Sequence, residues 1–261
     1  MNAPSRPAPT APAHLSVSEW ALRLELAALY RVIEHLGWCD MIFNHVTVRV
    51  PGPRAHFLIN PFGLRYDEVT ASNLIKIDLD GKPVDPGPYP VNEAGFIVHA
   101  AVHRYREDAH AVMHTHTRAG MAVACKAEGL SHDSFYGAQL TGDVAYHPFE
   151  GITVHEDEIP RIAASLGTRD FMILRNHGLL TCGPDLATCF FRMWTLQRAC
   201  EVQFDAQSMA GAHAVLSEAV RQRTRNDFQR SKIDPRLART VLDAMVRRVE
   251  STLTPDTDYR R

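Results

Sequence analysis

The stretch Ala111-Val112-Met113-His114-Thr115-His116 decides how this chain is read. A short apolar run ending in His-x-His has the character of a strand. A strand has a period of two, so residues i and i+2 project to the same face, and His114 and His116 stand side by side. A second run, Phe171-Met172-Ile173-Leu174, leads into Arg175-Asn176-His177-Gly178. If the two strands lie close in one sheet, His177 joins the pair. Three imidazoles with an open position is the arrangement of a catalytic divalent-metal site, whereas a structural zinc site is closed by four ligands. The competing reading is a core histidine bonded to the backbone. Two same-face imidazoles must then both be satisfied in one place, and a shared metal does that directly.

Working outward, Asn44-His45-Val46-Thr47-Val48-Arg49-Val50 alternates and is β-branched, which predicts a strand. Pro51-Gly52-Pro53 turns the chain into a second strand over His56–Asn60. Leu74–Leu79 followed by Asp80-Gly81-Lys82 predicts a hairpin. Ahead of these, Ser16 and Glu19 have capping-box spacing, and Trp20, Leu24, Ala27, Ala28 and Leu29 follow with helical period until Gly37. Ala94–Tyr105 predicts a helix leading into the His-x-His strand. Beyond it come a helix over 117–129, a strand over 142–147, a helix over 156–166 and the strand ending at His177. Thr181–Gly183 reads as a turn. Asp185 caps a long helix through about Met209. Interleaved helices and strands argue for an α/β domain around a mixed sheet. Residues 1–15, rich in Pro, Ala and Ser, read as a disordered tail. Residues 16–210 form the domain. Residues 211–261 form a charged helical extension, with a break at Pro235.

Composition excludes several classes. Net charge is −2 and the pI is about 6.7, so nothing marks a nucleic-acid surface or a membrane patch. No apolar run approaches the roughly 20 residues of a membrane span, and no secretory h-region opens the chain. The five cysteines form no Cys-x-x-Cys pair and read as reduced thiols of a cytoplasmic protein.

Four stretches carry a resemblance: Asn44-His45-Val46-Thr47-Val48-Arg49, Asn60-Pro61-Phe62-Gly63, His114-Thr115-His116 and Arg175-Asn176-His177-Gly178-Leu179. They occur in the order found in the class II aldolase/adducin family, which includes fuculose-phosphate aldolase, ribulose-phosphate epimerase and the adducin head domain. The chain resembles that family over roughly residues 16–210. The resemblance implies a single three-layer α/β/α domain with a mixed central sheet. It implies a homotetramer whose active sites lie between neighbouring subunits. It makes His114, His116 and His177 the ligands of Zn2+ or another divalent ion such as Fe2+ or Mn2+, and it places Asn44 and Gly63 against a small-molecule substrate.

The departures bear on the substrate. The family's sugar-phosphate aldolases carry Ser-Ser-Glu ahead of the His-x-His strand, where this chain has Glu93, Ala94 and Gly95; a phosphate-holding Thr aligns with Phe62. Phosphate needs hydroxyl, backbone or cationic donors. Phe62 and Ala94 offer none from their side chains, and Glu93 repels an anion. The expected substrate is therefore unphosphorylated. Glu93, two residues from the family's acid/base position, is a candidate for that role, with a solvated loop carboxylate as the alternative. Tyr136 lies near a family tyrosine that works from the adjacent subunit, and Phe135 competes for the position. His99 is expected to pack behind the site rather than to act as a fourth ligand. Arg118 or Arg175 could meet a substrate carboxylate, with a structural ion pair as the alternative.

The implied activity is that of a metal-dependent carbon–carbon lyase, an aldolase or decarboxylase, working through a metal-stabilised enediolate on a hydroxy- or keto-acid. A non-catalytic module like the adducin head and an Fe(II)-dependent oxygenase are the alternatives.

Overall fold

The computed structural model describes residues 9–232 and 235–261, with the side chains of residues 93, 94, 231, 232 and 235 outside the description. Seven strands form one sheet: β1 (His45–Arg49), β2 (Phe57–Ile59), β3 (Ile75–Ile77), β4 (Ala111–Thr115), β5 (Val144–His147), β6 (Phe171–Leu174) and β7 (Gly178–Gly183). Their order is β3-β2-β1-β4-β7-β6-β5. Only the β5–β6 pair is parallel, so the sheet is mixed.

The central strands are apolar on both sides because both faces are covered. Val112, Met172 and Leu180 face one helical layer, made by α2 (Glu93–His103) and α5 (Ile159–Leu166). Their neighbours Met113, Phe171, Ile173 and Leu179 face the other. That layer holds α1 (Val17–His35), α3 (Arg118–Ala124), α6 (Leu186–Ser208) and α8 (Pro235–Glu250). The domain is thus the three-layer α/β/α architecture expected. Two further helices, α4 (Phe135–Gln139) and α7 (Glu218–Lys232), complete the described α-helices. Among the described residues, no helix is long and apolar enough to cross a membrane.

Helix starts follow their caps. The Ser16 hydroxyl accepts the Glu19 N–H at 3.1 Å, and the Asp185 carboxylate accepts the Thr188 N–H at 2.7 Å. Glu19 does not close the capping box that its spacing suggests. Its carboxylate pairs instead with Arg23 and Lys76, which leaves no buried charge alone. Proline opens α8, where a missing N–H costs nothing.

Four local expectations change. Thr181–Gly183 is not a turn but part of β7, which is buried along its length and paired on both sides. The turn falls earlier, at Arg175–His177, where Asn176 takes a left-handed φ of 55°. The helix expected over 117–129 ends at Ala124, and α4 begins separately, with Ser134 accepting the Gly137 N–H. The turn at 78–82 forms, but the return arm is a single Ile77–Pro83 bridge, flanked by Asp78 N donating to Lys82 O and Val84 N donating to Lys76 O, and not a full strand. Residues 9–15, part of the expected tail, lie on the domain: the Trp20 indole donates to Pro9 O at 2.9 Å, and Ala11 and Leu15 pack on the core. Residues 1–8 lie outside the described residues. At the other end, Leu242, Val249 and Tyr259 join the core, so the helical extension is packed on α1 and α6.

Candidate functional site

The expected strand pairing of His114 with His177 takes a different route. β7 lies between β4 and β6, and Leu179 pairs with Thr115. The tight β6–β7 turn therefore sets His177 beside the end of β4. Nothing larger than glycine fits next to it, since a Cβ on Gly178 would lie 2.4 Å from Thr115 O. His114 sits within β4, and His116 lies just past its end. The three imidazoles converge: His114 Nε2 is 2.8 Å from His116 Nε2 and 3.3 Å from His177 Nε2, and all three candidate ligand atoms lie within 4.8 Å of one another.

The second nitrogen of each ring decides what the first can do. His114 Nδ1 lies 2.9 Å from Leu179 O, an acceptor, so Nδ1–H donates and Nε2 keeps its lone pair. His116 Nδ1 lies 3.2 Å from the Asp40 carboxylate and donates likewise. Burial pushes His114 well below the usual imidazole range, with the neighbouring histidines adding to it. Burial lowers His116 as well, with the Asp40 carboxylate working against it. Burial, then His116 and His147, push His177 down to about 4. Neutral rings with both Nδ1 atoms protonated place two Nε2 lone pairs face to face at 2.8 Å. That arrangement is repulsive unless a cation lies between them. Tetrahedral ligands at zinc–nitrogen distances stand roughly 3.3 Å apart, so the donor set fits a divalent transition metal such as zinc.

A cavity of about 370 Å³ opens onto the three rings. Phe43, Val98, Phe149 and Ile152 form its apolar wall, while Asp40, His45, Asn92 and Thr153 supply its other polar groups. No Lys or Arg is among these lining residues. A cavity of about 400 Å³ between the 78–82 turn, α2 and α5 contains no histidine and is separate from this site.

The other expected residues fall differently. Asn44 does not line the cavity. It is 1% exposed, and its carboxamide is spent on two backbone groups: Nδ2 donates to Trp38 O at 2.7 Å, and Oδ1 accepts the His116 N–H at 3.0 Å. Asn44 thus positions a candidate ligand. Gly63, at φ +97°, is also not in the cavity wall. Tyr136 lies on α4, with its ring 5.1 Å from that of Phe135 and beneath Arg198, and does not reach the cavity of its own chain. Glu93 opens α2 next to the cavity-lining Asn92, and its side chain lies outside the described residues. His99 packs behind His45 and is not one of the three. Arg118 lies over Phe204 and Arg175 over Tyr146, so neither is placed to meet a carboxylate at the metal site.

Sequence reasoning missed His45, Asn92 and Asp40. The signal for His45 was present: it is the first residue of β1, in register with His114. Asn92 was legible as a helix cap three residues before Gly95. Nothing in the sequence marks Asp40.

A mixed sheet between two helical layers, with three histidine nitrogens gathered at one strand end, defines an α/β domain with a candidate metal site. The chain belongs to the class II aldolase and adducin family, whose N-terminal domain it matches over residues 24–204. Alpha-adducin of Mus musculus is 45% identical over 196 residues, covering 74% of this chain but 26% of adducin. The chain thus spans about a quarter of that protein. An aldolase II superfamily protein from Pseudomonas syringae is 42% identical, with a TM-score of 0.89 over 95% of this chain and 98% of that one. An L-fuculose 1-phosphate aldolase from Glaciozyma antarctica is 26% identical, with a TM-score of 0.80 over 97% of both chains.

Proposed function

We propose that this chain is a zinc-dependent carbon–carbon lyase, an aldolase or decarboxylase, acting on an unphosphorylated hydroxy- or keto-acid. The observation that carries the reading is the pair of facing lone pairs on His114 and His116, which Leu179 O and Asp40 enforce. His177 supplies the third nitrogen. When bound, a divalent ion supplies the charge that polarises a carbonyl and stabilises the electrons released as a neighbouring C–C bond breaks. The protein's part is to hold the three rings, and the outer partners orient them. Phe43, Val98 and Phe149 keep water from the reacting carbons. With no Lys or Arg among the described lining residues, a phosphate dianion finds no cradle, and an ion held by the three histidines would supply the positive charge that a substrate carboxylate needs.

The mouth of the cavity supports an assembly. Ile152 is 78% exposed, and Phe43 and Phe149 in the same cavity wall also stand open. An apolar rim of this kind is covered in a functional protein. We read it as the face that neighbouring subunits close, in a homotetramer. On that reading Tyr136 reaches a neighbour's cavity rather than its own.

The identity with alpha-adducin favours a second reading, in which the fold serves interaction without catalysis. Elemental analysis of the untagged protein, followed by a screen of unphosphorylated hydroxy- and keto-acids, separates the two. About one zinc per chain with turnover of such an acid supports the lyase. Iron in its place turns the screen toward oxygen-dependent chemistry. A chain that takes up no metal leaves the interaction module, and efficient cleavage of a phosphorylated ketose refutes the substrate class.

A further inference from the structure

The cavity in front of the three histidines is short of free polar groups. Apart from those rings, Asp40, His45, Asn92 and Thr153 are the polar side chains among its described lining residues. Two of the four bond each other: Asn92 Nδ2 donates to His45 Nε2 at 3.1 Å. Asn92 Oδ1 accepts the Gly95 N–H at 3.3 Å, so the carboxamide is spent at both ends. One Asp40 oxygen accepts from His116 Nδ1–H. The second Asp40 oxygen and the Thr153 hydroxyl are the side-chain groups that remain for a ligand.

The rest of the wall is apolar, and it begins next to a candidate ligand. Phe149 follows β5, and its ring stands edge-on to His177 with 6.5 Å between centroids. Val98 lies one helical turn after Gly95 on α2, so both turn to the cavity, and Val98 is 2% exposed. Phe43 is set by a turn in which its N–H donates to Asp40 O at 2.9 Å. The segment that orients His116 therefore also delivers an aromatic ring to the wall. Phe43 and Phe149 are half-exposed, each with part of its ring in the cavity wall and part at the rim.

Two kinds of acid compete for such a space. A polyhydroxylated acid brings a hydroxyl on each carbon, and each one taken from water without a partner costs ~10-fold in affinity. One carboxylate oxygen and one hydroxyl would have to serve them all. An acid with an apolar substituent strands no polar group, and it removes its own surface and that of the wall from water. A ring also finds Phe43 and Phe149 for edge-to-face or offset contact. At about 370 Å³ the cavity has room well beyond a two-carbon acid. We propose that the substrate is a hydroxy- or keto-acid with an apolar, ring-sized substituent, and that Val98, Phe43 and Phe149 determine this specificity. The acid head rests on the lyase reading; the substituent is read from the wall alone.

Calorimetric titration of the zinc-loaded chain with glycolate, mandelate and threonate tests the proposal. The three share a 2-hydroxycarboxylate head. Mandelate adds a phenyl ring, and threonate adds two hydroxylated carbons. Mandelate should bind ~10-fold tighter than glycolate, the effect of burying roughly 60 Å² of ring, and threonate should bind no tighter than glycolate. Phe149→Ser and Val98→Thr should each cut mandelate's advantage over glycolate by ~3-fold or more. A second arm needs no metal. In protein labelled with methyl-13C valine, the signals lost in Val98→Ala identify Val98. Benzyl alcohol should shift those signals, and glycerol at the same concentration should not. Threonate bound as tightly as mandelate, an unchanged ratio in both variants, or Val98 methyls indifferent to benzyl alcohol overturns the proposal. The two readings fail separately. Zinc uptake with equal affinity for all three acids spares the lyase and overturns the apolar specificity. No zinc uptake with the Val98 response present refutes the lyase and supports the apolar specificity of the wall.

Discussion

Replacing Asp40 with alanine separates a metal site from a packed cluster of histidines. Asp40 Oδ2 lies 3.2 Å from His116 Nδ1 and fixes that ring with its lone pair inward. The Asp40 side chain is 44% exposed, so water screens most of its charge, and orientation is what the substitution removes. Losing such an outer partner weakens metal binding by roughly 10- to 100-fold. Half-exposure puts this case at the lower end, about tenfold or about 1.4 kcal/mol. Asp40→Asn keeps an acceptor for Nδ1–H and should lose only about two- to threefold, the neutral remainder of a charge-assisted bond. The assay is competition for zinc between metal-free protein and a chromophoric chelator, beside urea unfolding of the same samples. Global stability without metal should move by less than about 0.5 kcal/mol, as for a surface substitution. An unchanged zinc affinity in Asp40→Ala refutes the reasoning, because it would mean that His116 Nε2 is not a ligand.

Three further outcomes follow from the same geometry. His116→Ala should abolish stoichiometric zinc and any activity while leaving the circular dichroism spectrum intact; full metal content in that variant removes the assignment. Asn44→Ala strips partners from Trp38 O and the His116 N–H, both in a buried setting, and should cost roughly 2–4 kcal/mol in urea unfolding. A loss near zero there would mean water replaces the carboxamide. His103 gives the pH dependence. Burial, with Arg49 adding to it, pushes His103 down to about 3 from 6.5. The folded value lies below the unfolded one, so its contribution is complete above about pH 6.5 and is lost as pH falls toward 3. His103→Gln should flatten the acid limb of stability over that window by roughly 1 kcal/mol per pH unit. An acid limb as steep as wild type assigns the loss to other groups.

The parts legible in the sequence were those governed by one local period. The pair His114 and His116 needs only the alternation of a strand, and the caps at Ser16 and Asp185 need only a side chain at a helix start. His177 was found through its apolar run, yet the run that matters geometrically is the next one. Leu179-Leu180-Thr181-Cys182-Gly183 ends in residues that look like a turn, although they fill the centre of the sheet. Thr181 is tolerated there because its hydroxyl donates to Cys189 O, a partner supplied by α6 that no local pattern reveals.

The different placement of Asn44 and His45 has the same physical root at a finer scale. Successive residues at a strand start face opposite ways, so a one-residue choice exchanges the buried side for the pocket side. A motif match names the stretch without naming the face. The register does name it: His45 is opposite His114, and a residue paired across from a candidate ligand shares its face of the sheet. His45 therefore belongs to the pocket, and Asn44, on the opposite side, is free to tie Trp38 to the His116 backbone. The division of labour follows. The strand pair β1–β4 presents two imidazoles to one space, while the residue before β1 holds the backbone of the candidate ligand that follows β4. A substitution at Asn44 should accordingly be felt in stability and zinc affinity together.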